Sequence, residues 1–238
     1  METFPGLKEN PSNFLEALLT EQEKEGNFTD EEIVGNVFTM LLAGEDTTSN
    51  SISWAIYYLA QHPEAVNRIR KEAIEIYGGN LFPPQNENLA SLKYTEGVVM
   101  ETIRLKPVTP TLYMQALEDV EIEGLQINKG MTIMLQNKVA QTHSENFAQP
   151  DDFLPERWFR GTGCPVSGAH NPEVIRAFGA GPRFCPGKTL AMHEMITVLS
   201  MICKNFNIEL AVDVNEITEM FDFTMHPYNL WVKLKKIN

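Results

Sequence analysis

The feature that most constrains this fold is a helix-forming segment of unusual length in the first quarter of the sequence. Thr29 and Glu32 have the spacing of a capping box, in which each side chain bonds the other residue's backbone N–H at the start of a helix. An apolar pattern with helical period follows from Ile33 to about Ala60, and Pro63 marks the start of the next helix. The pattern predicts a helix of about 30 residues, well above the mean of about 11–12 in globular proteins.

The middle of this helix carries residues that weaken helices. Positions 43–48 read Ala-Gly-Glu-Asp-Thr-Thr. Gly44 removes side-chain bulk, and Thr47 and Thr48 can bond a carbonyl one turn back, which bends a helix. We therefore expect a small polar notch in an otherwise apolar rod. Without further context the simpler interpretation is a kink with exposed polar residues.

The remaining patterns are helical, with a minor β part. Further helices are predicted at Pro63–Tyr77, Leu89–Leu105 and Lys188–Phe206. Short strands are predicted in the remaining alternating segments: Val120–Gly124, Leu125–Ile127, Met131–Leu135, Ile208–Val212 and Leu230–Leu234. The fold class is therefore mainly α with a minor antiparallel β part. The proline-rich stretch 142–182 is irregular, and irregular stretches of this length usually serve a function.

Charge and composition exclude several classes of protein. Nineteen Lys and Arg against 32 Asp and Glu give a net charge of −13, which argues against nucleic acid as a partner. Three cysteines are too few for a disulfide framework and favour a reducing compartment. Apolar runs such as Met195–Cys203 are too short to span a bilayer, and Met1–Glu9 has no signal-peptide core. We therefore expect a cytoplasmic location.

A lone cysteine in a glycine-rich loop gives the sharpest chemical signal. Residues 178–187 read Phe-Gly-Ala-Gly-Pro-Arg-Phe-Cys-Pro-Gly and lead directly into the last long helix. Loop N–H groups and the positive helix N-terminus both favour a thiolate at Cys185, and Arg183 can bind an anion beside it. A thiolate next to an anion-binding arginine suits axial ligation of a heme iron, with Arg183 on a propionate.

Other interpretations of this loop match less well. Gly187-Lys188-Thr189 ends like a phosphate-binding loop, but Pro182 stands where that pattern needs glycine. Gly179 and Gly181 begin a dinucleotide fingerprint, but Phe184 stands at the third glycine. A zinc site on Cys164, His170 and Cys185 stays open, although no paired Cys-x-x-Cys supports it. Otherwise Cys164 and Cys203 are expected to be bystanders, as are His143 and His193.

The loop resembles the heme-binding signature of the cytochrome P450 family of heme-thiolate monooxygenases. The matching positions are Phe178, Gly181, Arg183, Cys185 and Gly187. The resemblance implies heme b as the cofactor and Cys185 as the axial ligand of its iron. The residues that it places against the cofactor are Phe178, Gly179, Gly181, Arg183, Gly187, Ala43 and Gly44.

A second family motif joins two distant segments. Glu101 and Arg104 share a helix face at i, i+3, and Arg157 follows in Phe-Leu-Pro-Glu-Arg-Trp at 153–158, where the family usually has Phe at position 158. By the resemblance, Glu101, Arg104 and Arg157 form a buried structural triad that holds the irregular segment. The pattern Glu173-x-x-Arg176 has the same form, so position and not spacing selects the pair.

The resemblance also assigns roles in oxygen chemistry and substrate contact. It places Ala43–Thr48 in the family's oxygen-binding groove, with Asp46 and Thr47 relaying protons for O–O cleavage. It makes Val108, Thr109 and Leu112 candidates for the wall of the substrate pocket. One departure is Met114, near which many relatives carry an arginine for a propionate.

Together these features imply part of a monooxygenase. The resemblance spans the whole chain but matches the C-terminal half of a full-length member, so residues 1–238 are interpreted as one incomplete domain without an N-terminal half. The implied reaction inserts one atom of O2 into a small apolar organic substrate, with electrons from a separate reductase or ferredoxin. The alternatives are a non-catalytic heme-binding or partner-binding remnant and, less favoured, a nucleotide binder.

Overall fold

The computed structural model describes residues 11–25, 28–83, 86–159 and 167–237. The chain divides into two compact units, Met1–Asp46 and Thr47–Asn238. The prediction of a single incomplete domain stays a prediction. The fold class is confirmed, because helices dominate and the strands pair only as short antiparallel ribbons.

The described residues form six α-helices and several single 3₁₀ turns. In chain order the α-helices are α1 (Phe14–Glu25), α2 (Asp30–Gln61), α3 (Pro63–Tyr77), α4 (Lys93–Leu105), α5 (Asn137–Gln141) and α6 (Lys188–Asn205). The predicted long helix is α2, which has 32 residues and continues through positions 43–48. The predicted bounds of α3 are those of the structure, and α6 ends one residue before its predicted end.

The strands of the described residues pair in four antiparallel two-stranded sheets. The pairs are β1 (Thr111–Gln115) with β4 (Thr132–Gln136), β2 (Val120–Ile122) with β3 (Leu125–Ile127), β5 (Phe206–Leu210) with β8 (Val232–Lys236), and β6 (Thr218–Phe221) with β7 (Met225–Tyr228). The turn between β2 and β3 places Glu123 and Gly124 at φ 48° and 83°. Two successive positive φ values match the right-handed twist of a tight hairpin, which explains the glycine.

Helix α2 begins at the capping box that the sequence predicts. The backbone N–H of Thr29 donates to Glu32 Oε2 at 2.7 Å, and the N–H of Glu32 donates to Thr29 Oγ1 at 3.2 Å. The reciprocal bonds satisfy two N–H groups that a helix start otherwise leaves without partners. Farther along this helix, in the second unit, the carbonyl of Thr47 accepts from Ser51 Oγ at 2.8 Å.

The core of the second unit lies where α3, α4 and α6 pack together. Its centre is formed by fully buried aliphatic side chains from these helices and from the end of α2: Leu59, Ile69, Val98 and Leu199. The hydroxyl groups of Tyr77 and Ser200 join α3 to α6 at 2.5 Å. This packing fixes α4, which carries Glu101 and Arg104 of the predicted triad, and α6, which follows the cysteine loop.

The predicted helix Leu89–Leu105 is wrong in one respect. A 3₁₀ turn covers Asn86–Ser91, the helical conformation is interrupted at Leu92, and α4 starts at Lys93. The cause is Glu72 on α3, whose carboxylate accepts from the backbone N–H groups of Tyr94 and Thr95 at 2.7 and 3.0 Å. A carboxylate at this position also suits the positive end of the helix dipole.

Candidate functional site

Backbone hydrogen bonds hold the cysteine loop just before α6. The N–H of Cys185 donates to the carbonyl of Phe178 at 2.8 Å, which closes the loop on itself. A 3₁₀ turn at Gly181–Arg183 lies between these two residues, and α6 begins at Lys188. Cys185 is therefore fixed at a tight reversal three residues before a long helix.

Two glycines make this reversal possible. Gly179 and Gly181 have φ of 73° and 65°, in the left-handed region that side chains disfavour. A Cβ on Gly187 would lie 3.8 Å from Cys185 Sγ, which is ordinary contact distance. Gly179 and Gly181 thus allow the backbone to turn, and Gly187 leaves the space beside the sulfur of Cys185 open.

The loop presents a cation and aromatic rings beside the thiol. Arg183 is exposed and has no carboxylate partner among the described residues. Phe184 is 57% exposed, and Phe178 is half-buried against the core. The loop therefore offers a sulfur ligand, a positive charge and apolar rings on one short segment.

The described cysteines differ sharply in environment. Cys185 and Cys203 are both free thiols; Cys185 is half-buried and Cys203 is fully buried. Burial raises the pKa of the Cys203 thiol to about 12, and nearby Arg70 only partly offsets this. Cys203 is thus unsuited to thiolate chemistry at neutral pH.

Two of the three residues of the zinc alternative, His170 and Cys185, lie within the described residues. Within the described ranges, no group of three or more His, Cys, Asp and Glu side chains could hold a metal ion. Cys164 lies outside the described residues, so the set of Cys164, His170 and Cys185 stays an alternative. His170 itself pairs with Phe147 in an isolated β-bridge, and its ring lies 5.3 Å from that of Trp158.

The carboxylate of Glu101 is the centre of a dense buried network. Its two oxygens accept from Arg104 Nε and Nη2 at 2.9 Å each, and from Arg157 Nε at 2.9 Å. The backbone N–H of Leu154 and the indole N–H of Trp158 donate to it at 3.0 Å each. The predicted triad residues are therefore bonded to one another, and Glu101, Arg104 and Arg157 are 0%, 0% and 2% exposed.

The two arginines also bind the backbone of the irregular segment. Arg104 donates to the carbonyls of Gln141, Pro150 and Asp152 at 3.0, 2.6 and 3.1 Å. Arg157 donates to the carbonyls of Ala148 and Gln149 at 2.9 and 3.1 Å. These carbonyl dipoles offset the second positive charge, which Glu101 alone does not neutralise. The network therefore fixes residues 148–158 on α4.

Trp158 has a role that the sequence interpretation missed. From the sequence it is only a replacement for the family's usual Phe, but in the structure its indole N–H donates to Glu101. A Phe cannot make this bond. The signal in the sequence was the tryptophan itself, because its ring carries an N–H donor that a Phe ring lacks.

The other Glu-x-x-Arg pattern lies in a different environment. Glu173 and Arg176 are both exposed, in a 3₁₀ turn and the residues after it. Burial therefore separates the two copies of the motif, which spacing alone does not.

The residues predicted for the oxygen-binding groove lie on consecutive turns of α2. In the first unit, Ala43 and Gly44 are exposed and Asp46 is half-buried; Thr47, the first residue of the second unit, is also half-buried. Apart from its chain neighbours and the backbone of its own helix, nothing described lies within 4 Å of where a Cβ on Gly44 would stand. Space is thus open at this glycine, although the helix itself continues through it.

The predicted pocket-wall residues lie next to a hairpin that the sequence analysis missed. Val108, Thr109 and Leu112 are half-buried at the end of α4 and the start of β1. The N–H of Met225 in β7 donates to the carbonyl of Val108 at 2.8 Å. The tip between β6 and β7, with Phe223 exposed, therefore lies beside this candidate wall.

The residues of the loop fit a heme. Cys185 supplies a sulfur ligand without a disulfide partner, Arg183 a cation for a carboxylate, and Phe178 and Phe184 apolar surface for a macrocycle. Glycine at 187 leaves the sulfur approachable. The donor set matches the iron, the propionates and the ring of that cofactor.

Comparisons with known proteins point to one family. The family model for cytochrome P450 matches residues 2–234. Cytochrome P450 4V2 of Rattus norvegicus is 33% identical over 94% of this chain and 42% of its own length. A mitochondrial sterol 26-hydroxylase of Oryctolagus cuniculus is 30% identical over 91% of this chain and 40% of its own length. A crystal structure of a cytochrome P450 superimposes with TM-score 0.78 at 30% identity, covering 88% of this chain and 47% of that one.

The matches share one further property. The chain spans about two fifths of the length of the curated relatives that it matches. Within the part of the chain that the structure describes, none of the helices is long and apolar enough to cross a membrane.

Proposed function

This chain belongs to the cytochrome P450 family, and from that premise we propose that it forms the C-terminal, heme-ligating part of a monooxygenase. Heme b is the cofactor of this family. The observation that carries the proposal is the cysteine loop, in which Cys185 is a free, half-buried thiol held by its own N–H at 2.8 Å from the carbonyl of Phe178.

Different residues of the loop would bind different parts of the heme. Cys185 would supply the sulfur ligand of the iron, and the helix that starts at Lys188 favours its thiolate form. Arg183, which has no carboxylate partner among the described residues, takes a propionate. Phe178, Gly179, Gly181 and Gly187 would shape the surface for the macrocycle. The assignment of Ala43 and Gly44 to the cofactor rests on the family resemblance alone and stays a prediction. The triad of Glu101, Arg104 and Arg157 positions the irregular segment and touches no reactant.

Heme, when bound, activates dioxygen so that one oxygen atom enters a C–H bond of the substrate and the other leaves as water. This stoichiometry needs two electrons and two protons. The electrons come from a separate reductase or ferredoxin. Asp46 and Thr47 move the protons, the carboxylate exchanging them with solvent and the hydroxyl passing them on.

The substrate is a small apolar organic molecule. Val108, Thr109 and Leu112 form part of its wall, and the tip between β6 and β7 lies beside them. Several relatives are named sterol 26-hydroxylases, so a sterol is the first substrate to try. The cytoplasmic location expected from the sequence stays a prediction, since these relatives are named as mitochondrial.

Isotope transfer tests the proposal. The chain is supplied with heme, a ferredoxin with its reductase, NADPH and cholesterol under ¹⁸O₂. We expect a hydroxylated sterol with one ¹⁸O atom, and a loss of about 100-fold in product for Thr47→Ala, the scale of general acid–base catalysis.

The alternative is a remnant that binds heme or a partner without turnover. Heme binding with no labelled sterol, while a full-length relative under the same conditions forms it, supports the remnant. No feature of the described residues favours the nucleotide-binding alternative, whose pattern Pro182 interrupts.

A further inference from the structure

The hairpin beside the candidate substrate wall depends on other elements for its position. Strands β6 and β7 form a ribbon of only two strands, and all four residues of β6, Thr218–Phe221, are exposed. An isolated two-stranded hairpin is at best marginally stable in water. The tip residue Phe223 is 61% exposed, whereas the next two residues, Thr224 and Met225, are 3% and 4% exposed. The ribbon is therefore held at Thr224 and Met225, directly after its tip.

Two side chains of α2 hold these buried residues. Asn50 Nδ2 donates to Thr224 Oγ1 at 2.8 Å, and the indole N–H of Trp54 donates to the carbonyl of Met225 at 3.2 Å. Asn50 and Trp54 are four residues apart, so they lie on one face of the helix. Trp54 is fully buried, and a buried indole N–H needs an acceptor. Asn50, Trp54, Thr224 and Met225 together form what we term the hairpin clamp.

The hairpin clamp connects the candidate substrate wall with the proposed proton relay. The N–H of Met225 donates to the carbonyl of Val108 at 2.8 Å, so the residue that Trp54 holds also bonds the wall. Thr47 precedes Asn50 by three residues and Trp54 by seven, a spacing that places all three on the same face of α2. One face of this helix therefore carries the relay hydroxyl and sets the position of the hairpin.

Ion pairs hold the base of the hairpin less firmly. Glu219 in β6 accepts from Lys138 Nζ at 2.9 Å through both carboxylate oxygens, and it also pairs with Lys106. Lys106 Nζ lies 4.6 Å from the centre of the Trp54 ring. All three charged side chains are partly exposed, and such pairs contribute little. The buried bonds of the hairpin clamp are therefore the ones that decide where the tip lies.

We infer that Asn50 and Trp54 are positioning residues that determine which carbon of the substrate is hydroxylated. They act through the hairpin, whose tip at Phe223 limits how an apolar molecule lies beside Val108. The inference rests on the proposed function and extends it from the wall to the residues that place the wall. A loosened hairpin clamp frees the tip, so the substrate presents more than one of its carbons for hydroxylation.

Amide hydrogen exchange of the whole chain, followed by peptide mass mapping, tests the hairpin clamp without heme or substrate. In Asn50→Leu and in Trp54→Phe, exchange at 218–228 should be about fivefold faster than in the wild type. This factor corresponds to one hydrogen bond of about 1 kcal/mol. Exchange in α3, α4 and α6 should not change, which separates local opening of the hairpin from a loss of global stability.

Two matched controls keep the residue types and remove bonds elsewhere. Asn36→Leu changes another asparagine of α2, whose side-chain amide donates to the carbonyl of Glu32 in its own helix. Trp231→Phe removes a solvent-exposed hydrogen bond to Asn229. Neither control should alter exchange at 218–228.

A double-mutant cycle tests whether one bond joins the two elements. Thr224→Val removes the acceptor of the Asn50 bond and nearly keeps the shape of the side chain. The double variant of Asn50→Leu and Thr224→Val should exchange about fivefold faster than the wild type, as each single variant does. Independent effects would multiply to about 25-fold.

Product analysis tests the assignment of specificity. With cholesterol as substrate, Asn50→Leu should spread hydroxylation over more carbons than the wild type and the control Asn36→Leu do. A merely structural role of Asn50 would lower all products equally and leave the ratio of isomers unchanged.

Each outcome decides a separate part of the inference. Unchanged exchange at 218–228 in both Asn50→Leu and Trp54→Phe would overturn the hairpin clamp, whatever the chain hydroxylates. Faster exchange with an unchanged ratio of isomers would overturn the assignment of specificity. A wild type that forms no hydroxylated sterol would refute the proposed function and the role in specificity with it, while faster exchange would still establish the hairpin clamp.

Discussion

The indole nitrogen of Trp158 lies 3.0 Å from Oε2 of Glu101, inside the most deeply buried charged network of the described residues. This bond joins the last residue of the 3₁₀ turn at Pro155–Trp158 to the middle of α4. It adds a fifth N–H donor to a carboxylate that already accepts from two arginines and from the backbone of Leu154. Trp158 also lines a cavity between α4 and α6, so the network reaches the wall of that cavity.

Trp158→Phe should destabilise the chain. The substitution keeps an aromatic ring but removes a hydrogen bond to a charged group, typically a loss of about 1.5–3 kcal/mol. Urea unfolding followed by circular dichroism measures it. Trp231→Phe is the control, because Trp231 is 65% exposed and its N–H makes only a solvent-exposed hydrogen bond to Asn229. Equal midpoints for the two variants would show that the Glu101 bond contributes nothing.

Glu101→Gln should lower the free energy of unfolding more than Trp158→Phe does. It leaves Arg104 and Arg157 buried without their carboxylate, and breaking a buried ion pair costs about 3–5 kcal/mol. The matched control is Glu173→Gln, in the exposed copy of the same Glu-x-x-Arg pattern, with an expected change within about 0.5 kcal/mol. Similar unfolding free energies for both variants would contradict the assigned difference between the two motifs.

Glu219 should contribute a small pH-dependent stability. Partial burial opposes its ionisation, but its ion pairs with Lys106 and Lys138 outweigh this and hold its pKa below the usual 4.5. A carboxyl with a lowered folded pKa stabilises the fold above its unfolded pKa, and that contribution is lost as pH falls through the folded pKa. The difference in unfolding free energy between the wild type and Glu219→Gln should therefore shrink below about pH 4.5. A difference that is constant from pH 7 to pH 3 would refute the pairing.

The two described thiols should react differently with a thiol reagent. Cys185 is half-buried in a loop, whereas Cys203 is fully buried and burial raises its pKa to about 12. Brief treatment of the folded chain with iodoacetamide, followed by peptide mass mapping, should modify Cys185 and spare Cys203. In urea both should react. Modification of Cys203 under native conditions would contradict its place in the core.

The sequence predicts a helix boundary correctly where residues at that boundary determine it. Thr29 and Glu32, three residues apart, fix the start of α2 through their reciprocal hydrogen bonds. Pro63 fixes the start of α3, of which it is the first residue. The start of α4 depends on Glu72, which is 22 residues from Tyr94, so the pattern 89–105 gave no sign of the break. The sequence pattern gave no sign either of the bond by which Met225, at the start of β7, contacts the distant Val108.

In the candidate site, too, some features can be predicted from the sequence and others cannot. The glycines and the cysteine of the loop are visible as a motif because backbone geometry demands them at fixed spacing. The carbonyl partners of Arg104 and Arg157 are not visible, since any residue type supplies a carbonyl. The bond of Trp158 was missed because family resemblance treats position 158 as a ring and not as a donor.

The central claim is that Cys185 ligates heme iron through its sulfur, and one spectrum tests it most directly. The chain is purified, supplied with heme, reduced and exposed to carbon monoxide. We predict a Soret band strongly displaced to longer wavelength, retained in Cys203→Ser and abolished in Cys185→Ser. Bound heme with an undisplaced band, or a displaced band that survives Cys185→Ser, would contradict the account.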